Sequence, residues 1–371
     1  MTQSKVSVCH LTTAHPANDV RISFRECKSL IQSGKFEVLL VAHGQVDIGL
    51  DLSTHDLGRI PKSRVIRMVK AQIVGLLLSL RLKATIWHIH DPELIFVGLW
   101  LRVLGKKVIW DAHEDYFLQF SPKVNYRKYI PRGAVGVTNF LAILSLRMID
   151  RYSTAIVCAT NSISSKYKNS NKYIVGNQAV VKDFLGAQPK HASRQLLFTG
   201  TTDDSQCFRE LVIAVKRFPE VKIALAGRNQ HSQQILWAES VLGNQLVLLG
   251  WLDRKELVKE ISNSFLGVLT YEDVITNDHN SPNKLFEFSV AGLPCLSTPT
   301  KSNIEWNEKS DGAYMARGFG SNDLAEAISL AIDSEARWIQ KSKSLRDWGL
   351  KNGDWEISER ELLRLYETLG I

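Results

Sequence analysis

A chain of 371 residues, 44% hydrophobic and 23% charged, is long enough for two cored domains and too apolar for a disordered one. Its net charge of +8 is uneven: residues 1–175 hold 24 Lys/Arg against 12 Asp/Glu and the remainder 22 against 26, so the first half is expected to face something anionic. Five scattered cysteines without CxxC spacing read as reduced, mostly buried thiols and argue against a disulfide framework or zinc site. No apolar leader surrounds Lys5, and runs such as 73–80 are too short to span a bilayer, so a cytoplasmic, reduced protein is expected.

In the first half, residues 5–11 predict a strand and 20–32 a helix with Ile22, Phe24 and Leu30 apolar. Further strands are predicted at 37–41, 85–89, 107–111 and 155–159, with helical patterns at 92–104 and 135–151. Strands this apolar, separated by helices, imply a parallel sheet covered on both faces. Weak periodicity over 173–193, with Gly176, Gly186 and Pro189, marks a change-over. The scheme then repeats, with strands at 195–199, 221–226, 246–249, 265–270 and 294–298. Helices fall at 210–217, 233–242, 254–262 and 285–291, and 355–369 closes the chain as an amphipathic helix with Ile357, Leu362, Leu363, Leu365 and Tyr366 apolar.

Ligands of open parallel sheets sit beyond the carboxyl ends of the strands. Three such ends in the first half carry polar clusters: Thr12, Thr13, His15, Asn18, Asp19 and Arg21; then His88, His90, Asp91 and Glu93; then Asp111, His113, Glu114 and Asp115. Singly each reads as a loop cap, with Asp91 before Pro92 a plain helix start. Three on one sheet edge favour a site. A divalent ion on the His113 cluster is the less favoured use of those residues.

The stretch 279–288 is the most informative. A loop with His279, Ser281, Pro282 and Asn283 delivers Lys284 and Glu287 one turn apart on a helix that stops at Gly292. A cation and free N–H groups at a helix start suit phosphates, and a carboxylate suits ribose hydroxyls. The plainer reading is a capped surface helix with a Lys/Glu pair.

This segment, with Ala291, Gly292 and Pro294, closely resembles the donor-site motif of retaining GT-B glycosyltransferases of family four. The stretches 12–22 and 110–115 look like the same group, and the likeness runs through nearly the whole chain. It implies an α/β GT-B architecture: two Rossmann-like doubly wound domains facing a cleft, residues 1–178 on the acceptor side and 179–354 binding the nucleotide sugar. A final helix, 355–371, would cross back to the first domain. By the same resemblance His113, Glu287, Lys284 and Glu114 form the catalytic set, His113 contacting the transferred sugar and the departing diphosphate. The donor contacts would be Gly200, Thr201, Arg209, Arg228, His279, Ser281, Asn283, Lys284 and Glu287. The acceptor side would hold Thr13, His15, Asp19, Arg21, His90, Asp91, Asp111 and Asp115. No cofactor and no metal are expected; the donor is a nucleotide diphosphate sugar, UDP- ahead of GDP-.

Two positions depart from the pattern. Many relatives place a Glu eight residues before Glu287, where this chain has His279 beside Asp278. Relatives also carry Arg or Lys and then Gly where Gln206 and Cys207 stand, leaving Arg209 or Arg228 as the substitute cation.

The expected function is therefore retaining transfer of a hexose to a glycan acceptor, polyprenyl-linked, in surface polysaccharide biosynthesis. The alternatives are a weak or inactive GT-B relative that binds nucleotide or glycan, and a GT-B sugar-nucleotide epimerase. Lys62, Arg64, Arg67, Lys70, Arg81 and Lys83 flank the apolar run 73–82, and Lys123, Tyr126, Arg127, Lys128, Tyr129 and Arg132 form a second basic segment. These suit an anionic membrane surface and a peripheral place at the inner face of the cell membrane. No nucleic-acid motif appears, and no nucleic-acid partner is expected.

Overall fold

The computed structural model describes residues 5–61, 63–120, 135–202, 204–227, 232–274 and 281–370. Arg228, His279, Asp278, Lys62 and the basic segment 123–132 lie outside the described residues. The chain divides into two compact units, Met1–Gly176 with Glu356–Ile371, and Asn177–Trp355.

Seven strands build the first unit: β1 (Val6–Pro16), β2 (Phe36–His43), β3 (Ser53–Asp56), β4 (Ile86–Ile89), β5 (Lys107–Ala112), β6 (Ala155–Cys158) and β7 (Lys172–Ile174). They pair in parallel in the order β3-β2-β1-β4-β5-β6-β7, so the winding reverses between β1 and β4. Trp87, Trp110, Val108 and Ile156 are wholly buried, as strands covered on both faces require.

The predicted helix at 20–32 is two elements. A π-helical turn, Ile22–Cys27, precedes a short α-helix, Lys28–Gln32. Asp19 Oδ1 accepts from the backbone N–H of Arg21 and Ile22 at 2.9 and 3.0 Å and fixes the start of this turn. Its wider ring, closed by Glu26 N–H to Arg21 O at 3.0 Å, belongs to a turn whose Glu26 is fully buried. The helix expected over 92–104 likewise opens with a 3-10 turn, Pro92–Leu94, before the α-helix Ile95–Val103.

The second unit has β8 (Gln195–Thr199), β9 (Lys222–Ala226), β10 (Leu246–Gly250), β11 (Leu266–Leu269), β12 (Cys295–Ser297) and β13 (Ala313–Met315), all parallel, in the order β10-β9-β8-β11-β12-β13. Here the reversal falls between β8 and β11. Helices Lys301–Ser310, Ser321–Ile332 and Glu335–Asn352, for which the sequence reading offers no elements, complete the unit. Strands β3, β7 and β13 were also absent from that reading. All three are sheet edges of three or four residues; β3 is mostly exposed and needs no apolar run, and β7 and β13 are too short to show one.

The closing helix Trp355–Gly370 packs on the first unit, as the resemblance implied. Leu362, Leu365 and Tyr366 are wholly buried, Phe36 meets the Tyr366 ring edge-on at 5.5 Å, and Lys107 Nζ donates to Leu369 O. All five cysteines are free and buried. Among the described residues no helix is long and apolar enough to cross a membrane.

Candidate active site

In the first unit the carboxyl ends of β1, β4 and β5 meet at the switch point, and most of the predicted polar residues converge there. Asp91 is not a plain helix start. Its side chain makes no capping bond to the following turn; Oδ2 instead accepts from Thr12 Oγ1 at 2.9 Å, Thr13 N at 2.6 Å and Ala14 N at 3.1 Å, tying the segment after β4 to the carboxyl-terminal part of β1. Thr13 Oγ1 donates to Glu93 Oε1 at 3.0 Å, and Thr13 O lies 3.1 Å from His43 Nε2.

His15 lies between two carboxylates, with Nδ1 3.4 Å from Asp19 Oδ2 and Nε2 3.5 Å from Asp91 Oδ1. Burial opposes its charge, but the bond to Asp19 and the charges of Asp91, Asp19 and Glu114 push the imidazole up to about 9. Burial likewise works against the Asp19 charge, and His15 and the Ile22 N–H outweigh it, holding Asp19 below the ordinary carboxylate value. His113 stands edge-on to the His15 ring at 5.3 Å, its Nε2 3.3 Å from Tyr116 OH and its Nδ1 3.4 Å from Asp111 Oδ2, a separation that forms no hydrogen bond. The His113 side chain keeps 14% of its surface exposed, and its Nδ1 edge is buried.

Beneath that edge lies a second, fully buried layer. Arg21 Nε and Nη2 donate to Asp111 Oδ2 and Oδ1 at 3.2 and 3.1 Å, and Nη1 donates to the carbonyls of Val175 and Gly176 at 2.9 and 3.2 Å. Asp111 also meets His90 Nδ1 at 2.9 Å. Burial disfavours ionised Asp111, yet Arg21 and His113 hold it well below its usual range, whereas burial dominates at Glu26 and pushes that carboxyl well above. Arg21, His90 and Asp111 are thus an ionic foundation under His113, not a surface facing solvent. Two predicted members stand aside. Asp115 caps the helix Tyr116–Gln119 through Leu118 N at 3.0 Å and pairs with Lys166, while Glu114 is exposed and accepts from Gln119 Nε2 at 2.5 Å.

The second unit's site lies at its own switch point. Helix Asn283–Ala291 runs behind β11 and ends at Gly292, whose φ of 71° is the left-handed cap the sequence signalled. This is no surface helix, since Lys284 and Glu287 are 7% and 6% exposed. Lys284 Nζ reaches across the gap between β8 and β11, 3.4 Å from Thr199 O, 5.1 Å from the Phe198 ring centre and 5.0 Å from that of Tyr271. It donates to Gln206 Oε1 at 2.8 Å, and Gln206 Nε2 in turn donates to Thr201 Oγ1 at 3.3 Å. Gly200 turns at φ 119°, and a Cβ on Gly227 would come within 2.3 Å of Gly200 O, so both glycines are required for the loop after β8 to cross the end of β9.

Cys207 adopts φ 47°, a left-handed conformation that glycine takes more readily than cysteine. Ser281 O accepts from Asn177 Nδ2 at 2.8 Å, and Asn283 opens the helix. Arg209 is exposed and lies over the Trp237 ring at 4.6 Å. The sequence reading missed Arg254, whose Nη1 donates to Glu287 Oε1 at 2.7 Å. Nothing in the spacing of residues 254 and 287 signals that pair.

No protein-family model and no curated protein matches the chain. Solved structures do. A sucrose-phosphate synthase from Thermosynechococcus elongatus superposes with a TM-score of 0.76 at 13% identity, covering 99% of each chain. HepE from Anabaena, solved with UDP and glucose, gives 0.72 at 9% identity, covering 98% of this chain and 100% of its own. A putative UDP-N-acetylglucosamine 2-epimerase from Listeria monocytogenes gives 0.63 at 12%, covering 98% and 96%. At such identities the likeness establishes the fold: two Rossmann-like units of the GT-B type.

Proposed function

We propose that this chain is a retaining glycosyltransferase that moves a hexose from a nucleotide diphosphate sugar, UDP- ahead of GDP-, to a polyprenyl-linked glycan at the inner face of the cell membrane. The observation that carries this reading is Lys284, a nearly buried cation at a helix start, set across the β8/β11 switch point where a parallel sheet offers its ligand site. A diphosphate there takes the ammonium charge and the backbone N–H groups of the Gly200 loop, and Glu287 accepts from ribose hydroxyls. HepE, with this fold, was solved with UDP and glucose.

Front-face transfer requires no protein nucleophile. The departing phosphate oxygen takes the proton of the acceptor hydroxyl while the sugar passes through an oxocarbenium-like state, and the protein supplies charge and position. His113, steadied by the Arg21–Asp111 foundation, supports the reacting sugar, with Glu114 at the exposed rim. Thr13, His15, Asp19 and Asp91 shape the acceptor side.

A membrane place is supported by the first unit's outer helices. Arg64–Arg81, Ile95–Val103 and Val135–Tyr152 pack side by side and expose Ile73, Leu77, Phe96, Val137 and Leu141 together with Leu80 at 69%, Val103 at 77% and Phe140 at 65%. Exposed Arg81 and Lys83 border this face. An apolar surface with a cationic rim suits anionic headgroups.

The test is donor consumption by the purified chain with a panel of UDP- and GDP-sugars and a polyprenyl-linked glycan acceptor. Lys284→Ala, Glu287→Ala and His113→Ala are each expected to lower turnover by about a hundredfold or more. Equal turnover in all three and the parent overturns the reading. Interconversion of UDP-N-acetylglucosamine without acceptor would assign epimerisation, the activity named for the Listeria neighbour.

A further inference from the structure

Register pairing of β1 with β4 sets His10 beside His88, and His90 follows two residues on along the same face. The three imidazoles are wholly buried and cluster, with ring centres 4.4 to 5.2 Å apart. Glu26, carried inward on the π-helical turn, faces them with its Oε2 3.8 Å from His10 Nδ1 and 3.7 Å from His88 Nδ1, while His10 Nδ1 and His90 Nε2 are 3.0 Å apart. One ligand atom from each of the four lies within 4.8 Å of the others.

We propose that His10, Glu26, His88 and His90 form a divalent transition-metal site, of zinc type, inside the first unit. Zinc–nitrogen bonds of about 2.0–2.1 Å make a tetrahedron with edges of about 3.4 Å; three of the separations, 3.0, 3.7 and 3.8 Å, lie near that length, and the set as a whole, within 4.8 Å, would draw in slightly on binding. The outer nitrogens are held as metal-bound imidazoles usually are: His90 Nδ1 meets Asp111 Oδ2 at 2.9 Å, and His10 Nε2 meets Tyr366 OH at 3.1 Å. One of the four donor atoms calls for a partner. Glu26 Oε2 has no hydrogen-bond partner among the described residues, whereas Oε1 is ion-paired with Arg21 Nε at 3.1 Å. A buried oxygen without a donor is costly, and an ion at Oε2 relieves that cost. Nitrogen and oxygen donors without thiolate favour Zn2+ and Co2+ over soft ions.

Loading at His10 Nδ1 shifts that ring's proton to Nε2, which then donates to Tyr366 OH, and the 2.9 Å contact of Tyr366 OH with His88 Nδ1 gives way to the ion. The ion would clamp β1, β4 and the π-helical turn under the closing helix. The inference stands apart from glycosyl transfer and differs from the metal-free expectation of the sequence reading.

Titration of the metal-stripped full chain with Zn2+ or Co2+ alone tests it. One equivalent is expected to bind, with a rise in melting temperature and, for Co2+, the visible absorption of a four-coordinate site. Glu26→Gln and His88→Gln are expected to weaken binding by about a hundredfold, and Tyr366→Phe by about tenfold. If either ligand variant fails to fold, Tyr366→Phe decides by the same titration. A parent that shows neither absorption nor stabilisation, or affinity unchanged in the folded variants, overturns the proposal.

Discussion

Arg254 Nη1 donates to Glu287 Oε1 at 2.7 Å, so the carboxylate proposed to take ribose hydroxyls is oriented by a cation from another helix. Arg254 also lies 5.1 Å from the Phe184 ring centre and 3.8 Å from Asp183, which fixes its fork against Glu287. Removing it leaves a nearly buried carboxylate without this donor. Arg254→Ala is expected to cost about 1–3 kcal/mol, a drop in melting temperature of about 3–8 °C. Nucleotide affinity should fall with it, whereas Arg254→Lys keeps the charge and loses only the fork. Calorimetric unfolding and binding measure both, and a variant that melts and binds like the parent denies the pairing any role.

The His15–Asp19 pair makes stability depend on pH. His15 is raised from 6.5 to about 9, so its contribution is complete below pH 6.5 and fades as pH rises through 9. Asp19 is depressed from 3.8, so its contribution is present above that value and is lost as pH falls through its folded value. Between pH 6.5 and 9 the parent is expected to lose about 1–2 kcal/mol, less than the full shift implies because His15 is partly solvated. His15→Gln should flatten the melting temperature over that window. A slope unchanged in the variant would assign the titration to another group.

The apolar face of the first unit predicts binding to vesicles rich in phosphatidylglycerol that weakens with salt. At about 1 kcal/mol for each cation near the surface, the double change Arg81→Ala, Lys83→Ala should lower affinity about tenfold to thirtyfold. Phe140→Asp should weaken binding with no change in melting temperature, since that ring is already exposed. Sedimentation that ignores anionic lipid, or that tolerates Phe140→Asp, removes this face from the membrane.

Sequence reading reached the inner strands because burial on both faces forces a continuous apolar run. The segment 195–199 matches β8 at both ends. Edge strand β3, Ser-Thr-His-Asp, carries no such signal because nothing covers it. Lys284 and Glu287 were legible together because one turn of a helix fixes their relation locally, whatever the rest of the chain does. Cys207 stands where the family pattern expects a glycine, and its left-handed backbone is a conformation that suits one.

Burial made the difference for the rest. Thr13, His15, Asp91 and Asp111 were gathered correctly at one sheet edge, yet their spacing could not show that Arg21 and Asp111 lie beneath His113 as its support. Glu26 faces inward on a π-helical turn, where the reading expected one regular helix over 20–32. Tyr366 reaches His10 and His88 from more than 270 residues away.

By itself the sequence determined two parallel-sheet units and the local chemistry of the donor helix, because hydrophobic period and turn spacing act over a few neighbouring residues. Only the tertiary structure decided that Arg254 holds Glu287, that Gln206 meets Lys284, and that a tyrosine from the last helix completes a histidine cluster in the first sheet. Those contacts exist because packing brings distant segments together in a dry interior, where an unpartnered charge is too costly to leave.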